Sequence, residues 1–105
     1  AIALEPNNAS LYLHLGLTYK DMGRFDDCVK NVEKAIALGD RDVRTYATLA
    51  FTYEALAVST PAPLSAKPYW EKALAAWNTV LALETDPVKK GMAQKHIERI
   101  KDITK

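Results

Sequence analysis

The 105-residue sequence has few of the residues that would identify a disulfide-bonded, metal-binding or membrane-spanning protein. Its single cysteine, Cys28, excludes an internal disulfide bond and a cysteine-based metal cluster. No apolar run approaches the roughly 18 residues that a transmembrane helix needs. The formal net charge is only +1, whereas nucleic-acid-binding domains usually concentrate basic residues on one surface. We therefore expect neither nucleic-acid binding nor direct insertion into a membrane.

Short catalytic motifs are missing as well. The sequence contains no glycine-rich phosphate loop, no G-x-S-x-G turn and no HExxH pair. His14 and His96 have no second His, Cys or carboxylate at ligand spacing, which argues against a metal site. Cys28 is expected to be a small buried residue, with a reactive thiol as the alternative. We therefore expect neither enzymatic activity nor a cofactor.

What the sequence does contain is an internal repeat. A displacement of 34 residues superimposes residues 1–4 on residues 35–38, all four identical. Four more identities follow, in which Tyr12, Leu15, Thr18 and Tyr19 match Tyr46, Leu49, Thr52 and Tyr53. The second half of the unit repeats at an offset of 45, so eleven residues are inserted between the two halves of the second unit. Prolines and serines in residues 57–67 predict a loop there, either a tolerated insertion or a functional element.

The 3.6-residue spacing of apolar side chains predicts an all-α fold. Helices are expected over residues 9–22, 25–38, 42–57, 67–84 and 87–104. Gly23 and Gly39 should end the first two helices, and Asp86 followed by Pro87 is typical of a helix start. The residues expected to face inward are Tyr12, Leu15, Gly16, Tyr19, Phe25, Cys28, Val29, Val32, Ile36, Trp70, Ala73, Leu74, Trp77, Leu81, Val88, Met92, Ile100 and Ile103. For Trp70 and Trp77, an exposed aromatic platform is the alternative.

The repeated residues resemble the tetratricopeptide repeat (TPR) family. The first unit carries the resemblance through Tyr12, Leu15, Gly16, Tyr19, Gly23, Phe25 and Ala35, and the second through Tyr46, Leu49, Ala50, Tyr53, Trp70 and Ala73. The second unit departs from the family pattern at Ala50, where the family has glycine, and in its insertion. The resemblance implies antiparallel helical hairpins stacked as a right-handed solenoid with a C-terminal capping helix.

The resemblance covers about residues 1–85 and suggests a division of the chain. Residues 1–8 would be the tail of a preceding repeat, and residues 9–40 a complete repeat. Residues 41–85 would be a second repeat with an inserted loop near 57–67, and residues 86–105 a capping helix. Because Ala1 falls in what the repeat indicates is the middle of a helix, we expect an end piece of a longer protein.

The resemblance also implies where a partner would bind. In the family, one side of the first helix of each unit lines a concave groove that takes peptides or partner segments. The corresponding residues here are Leu13, His14, Leu17, Lys20, Arg44, Ala47, Thr48, Phe51 and Glu54. Leu13 and Leu17 stand where a carboxylate-clamping subclass has lysine and asparagine, so the groove is expected to be largely apolar. Leu17 and Phe51 have an alternative role, which is packing against the neighbouring unit.

The hypothesis that follows is a protein–protein interaction scaffold or adaptor that binds a protein or peptide partner in this groove. One alternative is self-assembly, in which an apolar face at the N-terminal end makes a homodimer. Another is an accessory domain of a larger enzyme or envelope complex. Cytoplasmic and envelope-associated proteins both use this repeat, so no compartment is assigned.

Overall fold

The computed structural model describes residues 9–104, and this part of the chain folds into five α-helices without a strand. In chain order they are α1 (Ala9–Asp21), α2 (Phe25–Ala37), α3 (Val43–Ser59), α4 (Pro63–Leu83) and α5 (Pro87–Ile103). The prediction of an all-α fold is confirmed for these residues. The expected tail of a preceding repeat, residues 1–8, lies outside them. No helix in residues 9–104 has the length and apolar character required to cross a bilayer.

Glycines end the first two helices as predicted. Gly23 and Gly39 have positive φ angles of 79° and 112°, which favour glycine because it has no Cβ. After α2, the Gly39 N–H donates to Ile36 O at 3.0 Å and the Asp40 N–H donates to Ala35 O at 3.1 Å. The same pair of bonds follows α1, so both helices end in a Schellman motif.

The predicted start of α5 is confirmed, and α3 begins in the same way. The Asp86 side chain caps α5 by accepting a hydrogen bond from the Val88 N–H at 2.9 Å. Pro87 follows at the first helical position, where no N–H partner is needed. Asp42 caps α3 through the Arg44 N–H at 2.9 Å.

The prediction of a loop over residues 57–67 is wrong. α3 continues to Ser59 and α4 begins at Pro63, so only residues 60–62 separate the two helices. Pro63 is tolerated because it stands in the first turn of α4, and Ala57 and Ala66 are buried against neighbouring helices. Packing therefore keeps the stretch helical despite its prolines. α3 and α4 have 17 and 21 residues, whereas α1 and α2 have 13 each.

Each helix packs against the next one along the chain, most extensively α1 with α2 and α3 with α4, and α1 also contacts α3. The short connections make consecutive helices antiparallel. Gly16 permits the close approach of α1 to α2. A Cβ atom on Gly16 would lie 2.8 Å from Val32 Cγ2 and 3.2 Å from Cys28 O.

The predicted core residues of α2 and α4 are confirmed. Cys28, Val29, Val32, Ala73 and Trp77 are buried. Phe25, Ile36, Trp70, Leu74 and Leu81 are partly buried and pack against this core. Trp77 therefore belongs to the core and does not form an exposed platform.

The predictions for α1 and α5 are only partly correct. In α1, Gly16 is buried, but Leu15 is 39% exposed because no helix in residues 9–104 covers its side. In α5, Ile100 is buried as predicted. The other three predicted residues, Val88, Met92 and Ile103, are exposed because the helix buries the side carrying Ala93, Ile97 and Ile100 instead. The small Ala93 lets this side approach its neighbours.

Candidate functional site

Two hollows on one surface of the molecule meet at Arg44. A hollow of about 320 Å³ lies between α1 and the first half of α3, and its lining residues are Ser10, Leu13, His14, Leu17, Asp42, Arg44, Thr45 and Thr48. A second hollow of about 270 Å³ lies between α3, α4 and α5, and its lining residues are Val43, Arg44, Ala47, Phe51, Trp77, Val80, Glu84, Lys89 and Met92. We call the two hollows together the groove.

The groove contains most of the residues predicted from the sequence. Leu13, His14, Leu17, Arg44, Ala47, Thr48 and Phe51 line it. Lys20 reaches the same surface, since its Nζ lies 5.9 Å from the centre of the Phe51 ring. The structure thus brings these eight residues together, and their role in binding stays a prediction.

Phe51 packs against other helices and is also partly exposed. Its ring packs edge-on against Trp77, with centroids 4.8 Å apart at 85°, and against His96, with centroids 5.3 Å apart at 87°. The side chain nevertheless remains 40% exposed. Phe51 is therefore held in place by α4 and α5 while part of it stays open to the groove.

Arg44 is oriented by Asp42 at the junction of the two hollows. Its Nε and Nη2 donate to the two carboxylate oxygens of Asp42 at 3.3 and 3.0 Å. These hydrogen bonds hold the pKa of the Asp42 carboxyl below its ordinary value. The Arg44 side chain is 85% exposed, so its remaining donors face solvent.

The placement of Glu54 in the groove is wrong. Glu54 is only 6% exposed, because its carboxylate lies between three helices. Trp77 Nε1 on α4 donates to its Oε2 at 2.5 Å, and Arg99 Nη2 on α5 donates to its Oε1 at 2.6 Å. His96 Nδ1 lies 2.9 Å from the same Oε2 but is not aligned for a hydrogen bond. Glu54 therefore joins α3, α4 and α5.

Sequence reasoning missed this arrangement because its members lie far apart in the chain. The His96 ring stacks on Trp77, with centroids 4.4 Å apart and ring planes at 17°. Arg99 lies 45 residues after Glu54. The one sequence feature that hints at burial of Glu54 is its position between the apolar residues Tyr53 and Ala55.

Cys28 lies outside the groove, in the core between α2 and α3. It is fully buried, and its Sγ lies 3.4 Å from Thr52 Oγ1. Burial raises the pKa of the Cys28 thiol, which opposes formation of the reactive thiolate. In the described part of the chain, no group of three or more His, Cys, Asp or Glu side chains is placed to hold a metal ion.

Comparison with known proteins adds no identification. The sequence matches no protein-family model. A search of curated proteins finds no similar chain. The TPR resemblance therefore rests on the repeated residues of the sequence, and membership of that family is a proposal.

Proposed function

We propose that the chain is a TPR-type helical-repeat array that binds a peptide or partner segment in the groove. The observation that carries the proposal is the half-open ring of Phe51, which rests on Trp77 and His96 at the edge of an apolar hollow. Aromatic side chains in such positions supply much of the binding energy of protein interfaces. The proposal makes the domain a scaffold or adaptor and assigns it no catalysis.

The contacts between the odd-numbered helices support the repeat arrangement. Ser10, near the start of α1, shares a hollow with the first turns of α3, and Lys20, near the end of α1, reaches Phe51 further along α3. The same order holds for α3 and α5. Val43, at the start of α3, shares a hollow with Lys89 in the first turn of α5, and Glu54, further along α3, contacts Arg99 near the end of α5. α1, α3 and α5 thus run in one direction, which is consistent with their being the first helices of stacked hairpins.

A peptide selection tests the proposal. Random peptides selected on the wild-type protein would be titrated against Phe51→Ala and against Val58→Ala, a control on the same helix that is 73% exposed and lines neither hollow. We expect Phe51→Ala to weaken binding by about 1–3 kcal/mol, whereas Val58→Ala leaves it nearly unchanged. Equal effects of the two substitutions on every selected peptide would contradict the proposal.

Self-assembly is a second candidate, and the exposure of Leu15 favours it. Leu15 is 39% exposed on α1, and Met22 just beyond that helix is 60% exposed. An uncovered apolar side chain of this kind can pair with a second copy of the chain. Light scattering over a range of protein concentrations tests this candidate. A strict monomer at the highest concentration would rule against a homodimer through this face.

A further inference from the structure

We propose that the partner segment is acidic and carries one large apolar side chain that enters the hollow between α3, α4 and α5. This inference rests on the proposed function and names the chemistry of the partner. Two features of the groove support it, namely the apolar floor around Phe51 and the unpaired cations on either side of that floor.

The apolar floor has room for one large side chain. The hollow of about 270 Å³ is lined by Ala47, Phe51, Trp77, Val80 and Met92, together with polar residues at its rim. Phe51 is 40% exposed and Met92 54% exposed, so both leave apolar surface uncovered. Covering that surface with an aliphatic or aromatic side chain removes it from water, which favours binding.

Lysines stand on either side of this floor. Lys20 approaches Phe51 from α1, and Lys89 lines the hollow from α5. Neither lysine takes part in an ion pair within residues 9–104. Their charges are therefore available to a partner.

The acidic residues near the floor all accept hydrogen bonds, but only two of them are paired with a cation. Asp42 accepts from Arg44, and Glu54 is buried against Arg99. Glu84 is buried, and its Oε1 accepts from the Asp86 N–H at 3.3 Å. Asp86 caps α5 through the Val88 N–H. Glu84 and Asp86 keep their negative charges, because a backbone N–H does not neutralise a carboxylate. The cations Lys20, Arg44 and Lys89 nevertheless outnumber the two carboxylates that line the groove, Asp42 and Glu84. A carboxylate on the partner complements this small positive surplus.

Three pools of short fluorescent peptides test this inference. All three carry the same central leucine or phenylalanine, and the flanking residues are Asp and Glu, Lys and Arg, or Ser and Asn. We expect the acidic pool to bind most tightly and to weaken as salt is added. Lys20→Gln and Lys89→Gln should each weaken binding of the acidic pool by about two- to fivefold and leave the Ser/Asn pool unchanged.

Exposed lysines elsewhere on the molecule provide matched controls. Lys30→Gln on α2 and Lys101→Gln on α5 remove the same charge outside the groove and should leave binding of the acidic pool unchanged. If the basic or the Ser/Asn pool binds at least as tightly as the acidic pool and depends on Phe51, the acidic assignment is overturned while the proposed function stands. If Phe51→Ala alters the binding of no pool, both proposals fail.

Discussion

Glu54 on α3 and Arg99 on α5 form an ion pair with 2.6 Å between Oε1 and Nη2. The carboxylate is buried, whereas the Arg99 side chain is 60% exposed. Since Glu54 also accepts from Trp77 on α4, one carboxylate holds the three helices that enclose the hollow. The shape of the hollow therefore depends on a residue that does not line it.

We predict that Glu54→Ala destabilises the fold by about 2–4 kcal/mol, because Trp77 Nε1 loses its acceptor inside the core. Glu54→Gln should cost less, since the amide oxygen can still accept from Trp77. Urea unfolding measures both free energies. Glu98→Ala, an exposed α5 carboxylate, is the control and should fall within about 0.5 kcal/mol of wild type. Equal stability of Glu54→Ala and this control would contradict the assigned role.

Alanine substitutions at two glycines should change the stability of the fold in opposite directions. Gly16→Ala should destabilise by about 1–3 kcal/mol, because its Cβ would lie 2.8 Å from Val32 Cγ2. Gly91 lies within α5 with nothing within 4 Å of a new Cβ, so Gly91→Ala should stabilise by up to about 1 kcal/mol. Thermal unfolding compares the two variants. A stabilised Gly16→Ala variant would contradict this close approach of α1 to α2.

Alkaline pH should destabilise the protein through Tyr53. Burial, and then the hydrogen bond that Tyr53 donates to Glu33 Oε2 at 2.7 Å, raise the pKa of the phenol above its ordinary value of 10.0. A raised pKa stabilises the fold below the unfolded value, and this contribution is lost as the pH rises from about 10 through the folded value. At about pH 11 the loss should be about 1 kcal/mol.

Tyr53→Phe tests this pH dependence. Its unfolding free energy should be about 1 kcal/mol lower than that of wild type near neutral pH, because the hydrogen bond is lost. Between about pH 8 and pH 11 it should fall less than that of wild type. Burial also raises the pKa of Cys28 above 9.0, so the comparison is repeated in a Cys28→Ala background. Parallel pH profiles of the Tyr and Phe forms would contradict the prediction.

Local chemistry made much of the fold predictable. The apolar spacing in α2 and α4 marks residues that the structure buries, and Gly23, Gly39 and Asp86 stand at helix ends because of backbone conformation and capping. These effects act within a few residues, so the sequence displays them directly.

What the sequence did not reveal depends on contacts between distant residues. The stretch before Pro68 has the composition of a loop, yet it is helical where Ala57 and Ala66 pack into the interior. Glu54 has the helical position of a groove residue, but Trp77 and Arg99 reach it from other helices. Lys89 likewise reaches the groove only because α5 packs against α4.

Chemical-shift mapping of a selected peptide tests the central claim most directly. Amide signals of the uniformly ¹⁵N-labelled protein would be followed as the peptide is added. We predict the largest changes at Leu17, Ala47, Phe51 and Met92, which lie in the groove. A hollow elsewhere on the molecule, lined by Glu33, Tyr46, Lys72 and Thr79 among others, serves as the internal comparison. Largest changes there, with the groove signals unmoved, would contradict the account.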